Sequence, residues 1–591
     1  MGSLAMNRDL FVREELPDFI FAPRTDSIYN AHGYLTKVPV DGILPYLNRF
    51  TSPSDTVVDL FAGSGMTAVA AKIAGRNAVV SDISVLGKHI GEGYLTDVDA
   101  AGFAKAANEV LTKAKGRHGS LYETVTPEGR VLPTIRTIWS FVYRCGSCAK
   151  DIVYFEAMRA NKWEVPSTCP HCNQAFTKRA SLYVGDVPVV AVVDGADGKQ
   201  TEIPVSQVDR EKIQQAESSP DLSLVPTQQI ASSREMYRRS ALGKWRLEST
   251  KSFFSARNAL ALYYLREAIR ETPGDVGKKL LFAFTAILPR ASRRYQWSLQ
   301  RPLNAATQTY YIAPVYYEWN VFDLFARKVR ATSRADEELN SRRAAIGVQG
   351  KTTQRYVLSS AAKLEHLAPE SVDYVFTDPP FGSNLFYADM SLFHEAWLGA
   401  TTDDREEAVI HTNGQKANGA NERYESLLRA ACGEAFRILK PGRCLSLVFG
   451  NSSGRIWSMV QNILIASGFE PRPVHIGILD KGQRSVKGLA SGFESVSTLD
   501  LILTVKKPDT GEPARPQQQE HVAVSELVGE AVQTFSFHDH QTPSHLYLTL
   551  LKQAFERGLP VEEIHLSEII DRLRSRDIRI HPKTGEFVKS T

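Results

Sequence analysis

Three short stretches hold side chains whose type and spacing suit chemistry. Residues 377–381 read TDPPF and end the apolar run SVDYVF. Proline cannot donate to a sheet ladder, so the pair closes a strand and leaves Asp378, Pro379, Pro380 and Phe381 at its C-terminal edge. Ligands of open α/β sheets bind at that edge. Residues 59–67 read DLFAGSGMT and set Gly63 and Gly65 between a strand and a helix. Glycines let the backbone turn sharply there, and the amides of the helix N-terminus face whatever approaches. Asp82 ends the next strand, where an acid accepts hydrogen bonds from ribose hydroxyls. Each signal has a plainer reading. The glycine pair is a structural turn, and Asp378 is a loop cap that satisfies local amides. Ala68 leaves only the looser G-x-G-x-x-A form of the dinucleotide fingerprint. No G-K-[ST] follows, which argues against a phosphate-cradling nucleotidase.

The third stretch is CGSC at 145–148 with CPHC at 169–172. Two C-x2-C turns separated by twenty residues aim Cys145, Cys148, Cys169 and Cys172 at one point, as in a tetrahedral zinc site. Protein fills all four positions, so the expected Zn2+ is structural. The alternatives are four reduced thiols or a redox pair. Neither C-x-x-C opens a helix after a strand, which weighs against the redox pair. Cys432 and Cys444 read as core residues.

Two basic runs lie further on. REMYRRSALGKWRLESTK at 234–251 has six basic and two acidic residues, and PRASRRYQWSLQR at 289–301 adds four arginines. Arg238, Arg239, Lys244, Arg246, Arg290, Arg293 and Arg294 are the expected nucleic-acid contacts, because arginines interleaved with Tyr237, Trp245, Tyr295 and Trp297 suit phosphates and unpaired bases. A solvated face with ordinary core aromatics is the alternative. The aromatic run QTYYIAPVYYEWNVFDLF at 308–325 either lines a cleft or packs a core.

The elements that must position these residues follow from periodicity. TVVDLF, MTAVAAKIAG and NAVVSDI read as strand, helix and strand. Residues 182–207 read as short strands, 210–235 as polar loop and 250–290 as helical. The α/β pattern returns near 355 with VDYVFTDPPF, then a long helix, a Lys-Pro-Gly turn and a strand, and ends on TLDLILTVKKP. A polar, proline-containing linker precedes a tail from about 521. The 591 residues exceed one core. Net charge of +4 says little about partners. No signal peptide and no membrane span are expected, and six cysteines, four of them in one tight pattern, suit a reducing cytoplasm.

Taken together, DLFAGSGMT and TDPPF resemble motifs I and IV of the amino-methylating DNA methyltransferases. The lead-in YNAHGYLTKVPVDGILPYLNRFTSPSDTVVDLFAGSG and the segment EAFRILKPGRCLSLVF are also similar to that family. The resemblance spans roughly 29–100 and 355–505. Glycine loop, insert, then DPPF resembles the alpha-type order, in which the insert recognises the target. The resemblance implies an α/β fold with a Rossmann-like class I methyltransferase sheet; beside it, the residues between the two halves read as a large insert with a zinc ribbon, and the tail as a small C-terminal domain. The implied units are 1–117, 118–350, 351–506 and 521–591.

The implied reaction transfers a methyl group from S-adenosylmethionine to the exocyclic amine of a flipped base in double-stranded DNA. Adenine N6 is preferred over cytosine N4, because Asp stands at 378 where cytosine enzymes more often carry Ser. An RNA base methyltransferase and a catalytically idle nucleic-acid-binding module are the other readings. Asp378 and the Pro379 carbonyl would hold the amine, beside Pro380, and Phe381 would stack on the base. Asp59, Phe61, Ala62, Gly63, Ser64, Gly65, Thr67, Asp82 and Ile83 would hold the cofactor, with Lys37 a further candidate. Contacts to the cofactor's adenine ring are unassigned, because VLSSAAKLEHL lacks the acid that related proteins place there. Restriction–modification or another phage-defence setting, with partner proteins of that system, follows from the family alone.

Overall fold

The computed structural model describes residues 15–195, 198–240, 242–245, 247–299, 303–304, 310–347, 351–382, 385–412, 415–482, 499–514, 524–533, 542–581 and 586–589. The apolar runs of the first part form β1 (Phe19–Phe21), β2 (Thr56–Asp59) and β3 (Asn77–Asp82). Eight strands follow: β4 (Glu123–Val125), β5 (Val131–Arg144), β6 (Asp151–Val153), β7 (Leu182–Asp194), β8 (Gln200–Pro204), β9 (Tyr295–Gln296), β10 (Leu303–Asn304) and β11 (Val315–Trp319). The last part gives β12 (Gln354–Leu358), β13 (Val372–Thr377), β14 (Leu439–Phe449), β15 (His475–Asp480) and β16 (Asp500–Lys506).

The first and last parts share one sheet, ordered β1-β15-β16-β14-β13-β2-β3-β12. β16 is antiparallel to both neighbours, and every other pairing is parallel. All six residues of β13 are buried, as a central parallel strand covered on both faces requires. The chain runs outward from β2 through β3 to β12. It then crosses back to β13 on the other side of β2 and continues to β14. The order therefore reverses between β2 and β13, and the loops leaving their C-terminal ends part to form a crevice.

The middle strands form a second, antiparallel sheet, ordered β10-β9-β11-β5-β7-β8. The expected short strands at 182–207 are in fact the 13-residue β7, bulged against β5, and then β8. The expected loop after 210 begins as helix Gln207–Glu217, closed by a Ser206–Asp209 capping box. Only three of its residues are buried, so its apolar period is too sparse to read. The helix Val321–Ala345 leaves this unit and packs on the first part, where Arg342 pairs with Asp41 at 2.7 Å and Lys328 donates to the Asn30 and Ala31 carbonyls.

The Lys-Pro-Gly segment lies inside β14 rather than before it. Residues 440–443 bulge out between the Val372–Leu439 and Tyr374–Cys444 pairs, with Gly442 at φ 75°. The tail, read as a separate domain, shares its apolar core with the last part of the sheet. Phe555 meets Trp457 at 5.9 Å between ring centroids, and the segment 561–564 lies against Gly454, where a side chain would not fit. Among the described residues no helix is long and apolar enough to cross a membrane.

Candidate functional site

The glycine loop leaves β2 and needs two glycines for different reasons. Gly65 caps the helix Met66–Ala74 at φ 77°, in the left-handed region. Gly63 stands at φ 47°, and a Cβ there would lie 2.8 Å from the Tyr34 ring. Asp82 holds this turn: its Oδ2 accepts the Gly63 amide and its Oδ1 the Ser84 amide, both at 2.8 Å. Tyr356 donates to the Gly63 carbonyl at 2.7 Å from β12. Burial raises the Asp82 carboxyl above its ordinary range, against the pull of those amides.

Asp59 ties the two halves of the site together. It accepts from Thr67 Oγ1 at 2.6 Å, from Thr377 Oγ1 at 2.8 Å and from the Phe61 amide at 3.1 Å. Burial pushes its carboxyl up to about 6 despite these donors. The amides of Leu60 and Phe61 donate in turn to Thr377 Oγ1. The last residue of β13 is thus bonded to the loop after β2.

The DPPF corner follows Thr377. Tyr424 donates to the Pro380 carbonyl at 2.6 Å, and Asn451 to the Phe381 carbonyl at 3.2 Å. The Phe381 ring packs on Phe449 at 5.0 Å. Burial pushes the Asp378 carboxyl up to about 8; Lys481 opposes that shift, and Asp500 and Asp59 add to it. Lys481 is buried and paired with Asp500 at 2.6 Å.

A cleft of about 1000 Å³ opens where the two loops meet. Of the residues expected in the site, Lys37, Asp59, Phe61, Ala62, Gly63, Ser64, Thr67, Asp82 and Ile83 line it from one side, and Asp378 and Pro380 from the other. Gly65 supports it from behind. Pro379 instead lines a small apolar pocket beneath the corner, with Leu428, Cys432 and Phe449. The Lys37 ammonium is held by the Tyr29 and His32 carbonyls and lies over the Tyr29 ring, so it braces the lead-in segment; burial pushes it down to about 7.

Sequence reasoning missed several wall residues. Tyr34 and Tyr387 stand over the glycine loop and the corner, and Tyr387 shares a hydrogen bond with Thr36 at 2.9 Å. Tyr387 lies six residues past Phe381, an aromatic beside a motif that could have been flagged. Ser360, Ala361 and Ala362, directly after β12, line the region where no acid was found. Glu407 accepts the Ala388 amide at 3.0 Å, and burial pushes it up to about 8. Nothing local in the sequence marks it.

The four cysteines come together. Their sulfurs all lie within 4.8 Å of one another, with Cys145–Cys172 at 3.8 Å and Cys148–Cys169 at 3.9 Å. Sulfurs 2.3 Å from a tetrahedral centre stand about 3.8 Å apart, so the set fits zinc. The two turns repeat one geometry: Ala149 and Asn173, each four residues after the first cysteine of its pair, have φ 54° and 58°. His171 bonds the Asp151 carbonyl and is not needed as a ligand.

The basic runs divide. Arg238 and Arg239 are exposed; Arg239 pairs with Glu235 and lies 4.7 Å over the Phe386 ring, near the corner. Arg290 is exposed. Arg293 and Arg294 do not reach a surface where phosphate could meet them. Arg293 is paired with Asp186, which also accepts from Tyr316, and Arg294 is fully buried over Phe393. Arg246 and the side chain of Lys244 lie outside the described residues. The run at 308–325 supplies core: all five residues of β11 are buried, and Glu318 is paired with the equally buried Arg257. Cys432 is buried and Cys444 partly so.

No curated protein matches the chain. A solved structure from Thermus thermophilus, provisionally named a DNA modification methylase, aligns at 20% identity over 30% of this chain and 60% of that one, with a TM-score of 0.15. This chain thus spans less than two thirds of that protein's length, and a likeness at that score carries no argument. Residues 18–95, from β1 through the glycine loop and Asp82, match the family described as DNA methylase, N6_N4_Mtase.

Proposed function

We propose that the protein is an S-adenosylmethionine-dependent DNA methyltransferase that modifies the exocyclic amine of a flipped base, adenine N6 in the first instance. One observation carries this reading: the glycine loop and the DPPF corner, some three hundred residues apart in sequence, face a single cleft at the point where strand order reverses. The DNA methylase match over residues 18–95 supports it. So does the sheet itself. Numbered from β2, its strands run 3-2-1-4-5 on the parallel side, with an antiparallel last strand between the fifth and sixth. The 3-2-1-4-5 run is that of a doubly wound α/β sheet, which binds its ligand where the order reverses.

The cofactor supplies a methyl group made electrophilic by its sulfonium. The chain's part is to bind, orient and manage one proton. Phe61 to Ser64 and Thr67 form the floor for the cofactor, and Asp82 keeps carboxylate lone pairs beyond its two amide bonds for the ribose. Ser360 to Ala362 wall the position of the cofactor's adenine. Ionised Asp378 and the Pro379 carbonyl accept the two amine hydrogens of the target base and aim its nitrogen lone pair at the methyl carbon. The amine must give up one proton when it gains the methyl group, and Asp378 would take it. Phe381, fixed at the corner by Asn451 and Phe449, stacks on the extruded ring. The four cysteines would hold Zn2+ in a structural role. The proposed setting is restriction–modification or another phage-defence system, with any nuclease on a partner protein.

Asp378→Ala tests the reading. Cofactor binding, followed by calorimetry, should survive while transfer of tritiated methyl to duplex DNA is lost. Near-normal transfer by the variant would remove Asp378 from the mechanism. Long-read sequencing of DNA from expressing cells should show methylated adenine at a defined site; methylcytosine in its place would reassign the target.

A further inference from the structure

The face of the middle sheet turned away from the Glu318–Arg257 pair gathers positive charge around one indole. Trp319 lies on β11 opposite Arg136 of β5. Arg136 is 4.9 Å from its ring, Arg327 5.4 Å and Arg290 5.5 Å. Lys328 adjoins them, and burial together with the Arg290 charge pushes it down to about 8. Among the described residues none of these four cations makes a salt bridge; the carboxylate acting on Arg136 is the exposed Glu202.

Two donors in the cluster are also unspent. Trp319 is 7% exposed, yet its Nε1 has no partner, and neither has the buried Nε of Arg136. A ring face attracts cations only weakly, which does not neutralise the three arginines gathered on it. Buried donors left unpaired are costly. A multi-oxygen anion drawn to the cluster would offset its mutual charge repulsion.

We propose that Arg136, Arg290, Arg327 and Lys328, gathered around Trp319, form a binding site for backbone phosphates of the DNA substrate. This rests on the methyltransferase reading for its choice of anion. The placement supports that choice. Lys328 holds the Asn30 and Ala31 carbonyls, while Lys37 holds those of Tyr29 and His32 and lines the cleft. The segment 29–37 thus joins the cluster to the cleft. A duplex that inserts one base there must bring the neighbouring phosphates close by.

The test uses the full chain and a 30-base-pair duplex, with affinity followed by anisotropy over a potassium chloride series. In the combined variant Arg136→Gln, Arg290→Gln, Arg327→Gln, the log–log salt slope should flatten by about two to three, at about 0.9 for each phosphate that is no longer neutralised. Its Tm should equal or exceed that of the parent, because like charges have been removed, and inorganic phosphate should stabilise the parent more. An unchanged slope in the folded variant overturns the proposal. If the combined variant does not fold, the exposed Arg290→Gln alone should flatten the slope by about one, and no change there overturns it equally. Single-stranded RNA bound more tightly than the duplex, with the same weakening in the variant, overturns the assignment to DNA. The binding assay requires no chemistry. A cluster-dependent slope without methyl incorporation sinks the enzyme reading alone, and incorporation with an unaltered slope sinks the cluster alone.

Discussion

Asp378 must be ionised to take the proton that the amine gives up, and its surroundings make that the sensitive step. With the carboxyl at about 8, about one tenth is ionised at pH 7 and about nine tenths at pH 9. Methyl transfer measured with both substrates well below saturation reports the free enzyme's groups, so kcat/KM should climb about tenfold over that interval. Two neighbours give a test of sign. Lys481→Met removes the cation that favours the carboxylate, so the rise should move to higher pH and activity at pH 7 should fall. Asp500→Asn removes a carboxylate that opposes ionisation and releases Lys481 from its ion pair, so the rise should move to lower pH. A purely structural role for the pair would lower activity in both variants without moving the profile. The assay is tritiated-methyl incorporation into duplex DNA between pH 6 and 9, with Tm recorded for each variant. A flat profile, or shifts in the same direction for both substitutions, would refute the electrostatic account of Asp378.

Three other outcomes follow from the same geometry. Asp82→Ala should weaken S-adenosylmethionine binding about 10–100-fold by calorimetry, because two loop amides lose a charged acceptor worth about 1.5–3 kcal/mol; unchanged affinity would place the cofactor elsewhere. Cys169→Ser should reduce bound zinc from one per chain to none by elemental analysis and lower the Tm, since metal binding is coupled to folding at such sites; a metal-free parent would reject the site. Three histidines beneath the cleft, His32, His89 and His394, are kept neutral by burial, with His89 held down to about 4 and His394 to about 3. Their folded values lie below the unfolded value of about 6.5, so the stability they contribute is present above pH 6.5 and is lost as pH falls toward 4. His394→Leu should make the decline of Tm over that range shallower, because neither ring nitrogen of His394 has a hydrogen-bond partner to lose; an unaltered slope would show that His394 does not contribute.

Local chemistry determined a large part of this protein in its sequence. Gly63 and Gly65, the Asp378–Pro379–Pro380 corner and the paired cysteines each need a particular backbone shape, and only a few residue types permit that shape. Their positions, and the strands that carry them, are therefore legible without coordinates. The same holds for the short strands of the parallel sheet, whose burial shows as clusters of valines and aromatic residues rather than as strict alternation.

What tertiary structure alone decided is which of several equivalent side chains meets which partner. The arginines of 289–301 look alike in sequence, yet Arg290 faces solvent, Arg293 is bound to Asp186 and Arg294 is buried against Phe393. Asp186 lies over a hundred residues away, so no local pattern could separate them. Lys481, Asp500, Glu407 and the indole of Trp319 gained their roles the same way, through strand pairings and packing between distant segments. Short-range sterics is written residue by residue, whereas burial and electrostatic environment are properties of neighbours that the chain acquires only when it folds.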